Sequence, residues 1–230
     1  MEINNLELIR PFIDPIDEND FWFCQILRRK KENPDNTSNS RVIKTYYIRS
    51  ADHLEERFGE MMILSKYHRA RVYINLNRRN FEQLGLQMMK KVADCLINRT
   101  YRDIRNAYNS VCGNFHVEKE KKWIVDLDDN LCSLECEEEG IIVNKDYLPM
   151  VIRLITGLGG VIYAGLPTLN GTHLITSPFN SKLFYDNILA ERAGLVNLPD
   201  IQKNNPTLLY YSDDEIVTMP QNILDKFSGL

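Results

Sequence analysis

The stretch K-K-W-I-V-D-L-D-D, Lys121 to Asp129, joins a β-type apolar run to three carboxylates. In an extended strand successive side chains alternate faces, so Ile124, Asp126 and Asp128 share one face and Val125 and Leu127 the other. Two steps of about 3.3 Å set the Cα atoms of Asp126 and Asp128 roughly 6.5 Å apart, a separation from which two carboxylates can converge on divalent cations. Like charges so close together are costly without a neutralising cation, and Mg²⁺ takes carboxylate oxygens while substrate phosphates complete its shell. The pattern therefore predicts either a metal site or an acidic turn at a strand end.

Downstream of this strand the order of elements is readable. Asn144 predicts the cap of a helix reaching about Leu158, with Tyr147, Val151, Leu154 and Ile155 as its apolar stripe and Gly157, Gly159 and Gly160 as its stop. Val161 to Ala164 reads as a strand, Pro167 to Gly171 carries an Asn-Gly turn signal, and Thr172 to Thr176 reads as the next strand. A helix from Ser181 to about Ala193 and a strand from Thr207 to Tyr211 follow. This is β-α-β-β-α-β, the ferredoxin-like split unit, in which the first and third strands pair antiparallel at the sheet centre. Helices would then cover Val125, Leu127, Leu174 and Thr176, leaving Asp126, Asp128, His173 and Ser177 on an open face. The alternative for His173 is an ordinary surface histidine beside a turn.

Upstream, Phe21 to Leu27 and Val42 to Ile48 predict a hairpin around the polar turn N-P-D-N-T-S-N-S, Asn33 to Ser40. Ser50 is placed to cap a helix from Ala51 to about Lys66, and Arg69 to Leu76 alternates as a strand does. Asn80 opens an amphipathic helix to about Ile97 with Leu84, Met88, Val92 and Cys95 on one stripe. A further helix is expected from Tyr101 to Val111. The fold class read from the chain is α+β: an N-terminal α/β module over residues 1–118, the ferredoxin-like module over 119–215, and a tail over 216–230.

A net charge of −4 argues against indiscriminate coating of nucleic acid, although it leaves room for a local basic groove. No apolar run approaches the roughly 20 residues that span a bilayer, and the N-terminus lacks a signal pattern, so no membrane partner and a cytoplasmic location are expected. Five cysteines, an odd number, fit a reducing compartment better than a disulfide framework. Cys112-x₃-His116 with Cys132-x₃-Cys136 offers four zinc ligands, but the tight Cys-x₂-Cys knuckle is absent and structural zinc is not expected.

The strand ending Asp126-Leu-Asp128, the neighbouring G-T-H-L-I-T-S-P-F of Gly171 to Phe179 and a later acid resemble the archaeo-eukaryotic primase superfamily. The motifs cover Trp123 to Asp129, Asn170 to Phe179 and Leu198 to Tyr210, and the chain resembles a bare catalytic core of viral or mobile-element type. The resemblance implies a DNA primase or primase–polymerase that makes or extends primers from nucleoside triphosphates on a single-stranded or primed template, with two Mg²⁺ or Mn²⁺ ions and a replicative helicase as partner. It implies that Asp126 and Asp128 hold metal and that His173 contacts the incoming triphosphate. The family's serine falls at Gly171, so Thr172 or Ser177 is the expected hydroxyl. Lys203 is a candidate phosphate contact, and Arg69, Arg71, Arg78 and Arg79 are candidates for template phosphates. The third acid is Asp200 or Asp186. Asp200 is favoured, because Asp186 falls on a helix of the covered face whereas Asp200 leads into the last strand, expected to pair beside that of Asp126. Two other readings use the same residues: a metal-dependent phosphohydrolase or nuclease, and a catalytically degenerate replication subunit that binds nucleic acid.

Overall fold

The structure is a computed structural model describing residues 1–34, 39–128, 147–191, 198–214 and 218, with backbone alone at 136–137 and 140–141. The expected Asn144 cap, Asp129, Cys132 and all of the tail but Thr218 lie outside those residues. The chain is mixed α+β with antiparallel sheets and divides into two compact units, Met1–Glu118 with Pro206–Leu230, and Lys119–Asn205.

In the first unit Asp20–Arg29 pairs antiparallel with Ser40–Ile48, as the hairpin reading requires, and also with Arg71–Ile74. Residues Phe21 to Cys24 are apolar without alternation because both faces are covered. Phe21 and Phe23 pack with Leu84 and Cys112, and all four are buried. Ser50 Oγ accepts the His53 N–H at 3.1 Å at the start of the Ala51–His68 helix, and Asn80 Oδ1 accepts from Glu82 and Gln83 at the start of Phe81–Ile97. The helix expected from Tyr101 to Val111 is broken into Tyr101–Ile104 and Ala107–Asn114.

The second unit holds a four-stranded sheet in the order Asp200–Gln202, Trp123–Asp128, Gly171–Thr176, Ile162–Thr168, with every neighbour antiparallel. Helix Tyr147–Gly157 links the first of these strands in sequence to the second, and helix Ser181–Glu191 links the third to the fourth. Trp123, Val125, Leu127 and Leu174 form one core with Val151, Leu154 and Ile155 of the first helix and Phe184 and Ile188 of the second. Alternation along the strands thus sends the odd-numbered residues of Trp123–Asp128 under the helices and Asp126 and Asp128 to the opposite face.

Two expectations are corrected here. The Thr207–Ser212 strand does not join the sheet of Asp126; it pairs with Arg71–Ile74 and Glu2–Asn4 in the first unit. The fourth strand beside Asp126 is the three-residue segment Asp200–Gln202, immediately after Pro199, where an edge position makes the missing proline N–H tolerable. The second correction concerns the open face. Ile124, Leu166 and Ile175 share the acids' face and are buried, so it is exposed only toward its Asp128 and Asp200 corner.

Candidate active site

Register places the chemistry-bearing residues in a row. His173 lies directly across from Asp126 on one side, and Asp200 directly across from it on the other. Directly opposed residues point to the same face, so an imidazole and two carboxylates stand side by side over three adjacent strands, with Asp128 two residues further along and opposite Gly171. Asp128 and Asp200 are exposed, Asp126 is half-buried and His173 is 9% exposed.

The polar contacts at Asp126 divide its two oxygens. His173 Nε2 lies 3.3 Å from Oδ1, a hydrogen bond when Nε2 carries the proton and an ion pair when both ring nitrogens do. The side-chain amide of Gln202 donates to Asp200 Oδ2 at 3.0 Å and reaches Asp126 Oδ2 at 3.5 Å, the long limit of such a bond. Like charges directly opposite across a strand pair are destabilising, and the Gln202 amide set between them offsets part of that repulsion. Gln202 escaped the sequence reading. Its signal was its place two residues after Asp200, which on a strand gives it the same face.

The Asp200 strand is fixed from the helix side by Tyr185. Its hydroxyl donates to the Pro199 carbonyl at 3.0 Å and accepts the Ile201 N–H at 3.3 Å, bracketing Asp200. Burial, together with the nearby Asp200 charge, raises the Tyr185 phenol above its ordinary value despite the Ile201 bond, so the hydroxyl stays protonated and able to donate. Asp186, by contrast, is exposed on the Ser181–Glu191 helix, whose Phe184 and Ile188 pack under the other face of the sheet. Of the two candidates for the third acid, the fold brings Asp200 to Asp126.

The hydroxyl and lysine candidates are not brought to this row. Gly171 enters its strand at φ +156°, and a Cβ there would lie 1.9 Å from the Leu127 carbonyl oxygen, so no serine fits where the resemblance expects one. Thr172 alternates to the helix-covered face, where it stands opposite Leu127. Ser177 lies beyond the end of the strand, roughly 13 Å from His173 at 3.3 Å per residue, and its Oγ accepts the Val161 N–H at 2.8 Å. The Lys203 ammonium lies 4.9 Å from the centre of the Trp123 ring, which belongs to the covered face.

Three of the four arginines have internal partners in place of a solvent-facing strip. Arg71 is paired with Glu32, and Arg78 with Asp20 and Glu118. Arg79 is fully buried and donates to the carbonyls of Cys112, Asn77 and Gly113. Arg69 is exposed, at the left-handed C-cap of the Ala51–His68 helix. Of the zinc candidates, Cys112 is buried with a free thiol, Cys132 lies outside the described residues and Cys136 is described by its backbone alone.

The three acids supply hard oxygen donors of the kind Mg²⁺ and Mn²⁺ take. Among the described residues no three His, Cys, Asp or Glu side chains converge as a ready metal cluster. Both oxygens of Asp126 face His173 and Gln202, so closing on a cation requires side-chain rotation. Also among the described residues, no helix is long and apolar enough to cross a membrane. Comparison with protein-family models, curated proteins and solved structures found no match.

Proposed function

We propose that this chain is a metal-dependent nucleotidyltransferase of the primase or primase–polymerase type, acting on nucleoside triphosphates and a single-stranded or primed template. The observation that carries the reading is the cross-strand row His173, Asp126, Asp200, with Asp128 at its open corner. The antiparallel strand order of the second unit agrees with a ferredoxin-like module, which supports the likeness to the primase superfamily in architecture as well as motif.

Asp126, Asp128 and Asp200 would hold Mg²⁺ or Mn²⁺. The bound ions would neutralise the triphosphate and lower the pKa of the attacking 3′-hydroxyl. His173 stands beside Asp126, where its Nε2 proton, released once Asp126 turns its oxygen to a cation, can serve a phosphate oxygen and stabilise charge on the departing pyrophosphate. Gln202 and Tyr185 position the acids: the amide holds Asp200 toward Asp126, and the phenol fixes the strand on which Asp200 rides.

Nucleotide incorporation on primed and unprimed templates with Mg²⁺ or Mn²⁺ tests the proposal. Template-dependent extension that disappears in Asp126→Asn supports it. Phosphate release without a template would assign the acids to a phosphohydrolase, and nucleic-acid binding with no turnover would leave a degenerate binding subunit.

A further inference from the structure

In the first unit a cavity of about 620 Å³ is lined by residues of the Ser40–Ile48 strand and of the N-terminal turns of the Ala51–His68 helix, with Phe81 completing its wall. That volume falls among small-molecule sites, which run from about 300 to 1,000 Å³. Its lining combines cations with aromatic rings. Arg49 and Arg57 are exposed, and among the described residues neither has a carboxylate partner. Lys44 adds little, because Glu60 already pairs with it, and Glu56 is the one acid in the lining.

Each of the two guanidinium groups has one contact on the site wall. Arg57 Nε donates to His53 Nε2 at 3.2 Å, which leaves its two terminal nitrogens for another acceptor. Burial, and next the Arg57 charge, hold His53 below the usual imidazole range, which favours the neutral ring; its one acceptor nitrogen serves either Arg57 Nε or the Arg49 backbone N–H, 3.3 Å from Nδ1. The Arg49 guanidinium lies 5.9 Å from the centre of the Phe81 ring. Phe81 stacks on Phe21 at 4.1 Å, and the Tyr47 hydroxyl bonds that of Tyr108 at 2.5 Å, so both aromatic walls are fixed in place.

Planar guanidinium forks match phosphate, and aromatic walls beside them suit a nucleobase of any identity. We infer that this cavity binds one nucleotide unit of a single-stranded nucleic acid, with its phosphate at Arg49 and Arg57 and its base against Tyr47 and Phe81. The site takes over the phosphate-binding role that Arg71, Arg78 and Arg79 cannot serve from their internal pairings. It does not depend on whether the acids of the second unit are catalytic.

Fluorescence anisotropy of the full chain with a short fluorescein-labelled oligothymidylate, in EDTA so that the carboxylates hold no metal, tests this. Arg49→Glu combined with Arg57→Glu should weaken binding at least tenfold. Losing the one phosphate contact should also flatten the slope of log affinity against log salt by about 0.7, the value per phosphate on a single strand. Arg49→Gln with Arg57→Gln replaces that pair if the acidic variant melts early. Parental affinity in a folded double variant overturns the proposal. Displacement of the labelled strand by nucleoside triphosphate, at a phosphate concentration where unlabelled strand does not compete, would make free nucleotide the occupant and overturn the strand assignment.

Discussion

Asp200 stands directly across an antiparallel strand pair from Asp126, in the register that sets Ile201 opposite Val125 and Gln202 opposite Ile124. That relationship makes the third acid testable by substitution. Asp200→Asn should reduce metal-dependent incorporation by an order of magnitude or more, as expected when one ligand of a two-metal site is neutralised. Asp186→Asn, on the far side of the sheet, should leave it unchanged. Steady-state incorporation at saturating Mn²⁺ reads both. The reverse pattern would mean that the Asp200 edge strand is not part of the site.

His173 touches Asp126, so its removal should act on triphosphate binding more than on the fold. His173→Ala is expected to weaken nucleotide affinity by about 1.5–3 kcal/mol, the range of a charge-assisted bond. Calorimetric titration with a non-hydrolysable triphosphate measures it. Unchanged affinity would reduce the imidazole to a structural neighbour of Asp126.

Gly171 occupies the position at which the resembled motif carries serine. Gly171→Ser should not restore a hydroxyl contact but should destabilise the second unit by about 1–3 kcal/mol, through overpacking against the Leu127 carbonyl. Urea denaturation checks the direction. A stable, more active variant would show that the local backbone yields easily.

What the sequence made legible was local. The alternation of Trp123 to Asp128, the Ser50 and Asn80 caps and the order of elements in the second unit all follow from neighbours in the chain. Partner choice over long separations was not legible. Nothing in Thr207 to Ser212 says that this strand belongs beside Arg71–Ile74, since any edge can satisfy a ladder. The arginines misled for a similar reason: exposure is the default for a charge, and only the fold supplies Glu32, Asp20, Glu118 and the carbonyls that hold Arg71, Arg78 and Arg79 inside. Gln202 carries no motif at all and is identified by register alone.

Asp20 anchors one of those internal networks. It accepts from the Ile16 and Asp17 N–H groups, from Asn80 and from Arg78. Burial raises its carboxyl, but the bonds from Asn80, Asp17, Ile16 and Arg78 outweigh that and leave it below the ordinary carboxylate value. A depressed folded-state value means that the Asp20 contribution is fully present above the unfolded pKa and is lost as pH falls through the folded one. Stability measured from about pH 6 down to about pH 2 should therefore fall less steeply in Asp20→Asn than in the parent. Asp20→Ala, which removes the buried carboxylate and leaves the part-buried Arg78 with Glu118 at 3.5 Å, should cost about 3–5 kcal/mol at neutral pH.

The central claim is that Asp126, Asp128 and Asp200 hold the cations of a nucleotidyl transfer. Its most direct test is a crystal structure of the chain soaked with nucleoside triphosphate and Mn²⁺, using the anomalous signal to locate manganese. The account predicts manganese bound by oxygens of Asp126 and Asp128, with Asp200 adjoining and the triphosphate beside His173. Triphosphate and manganese bound together elsewhere, with these three carboxylates bare, would contradict it.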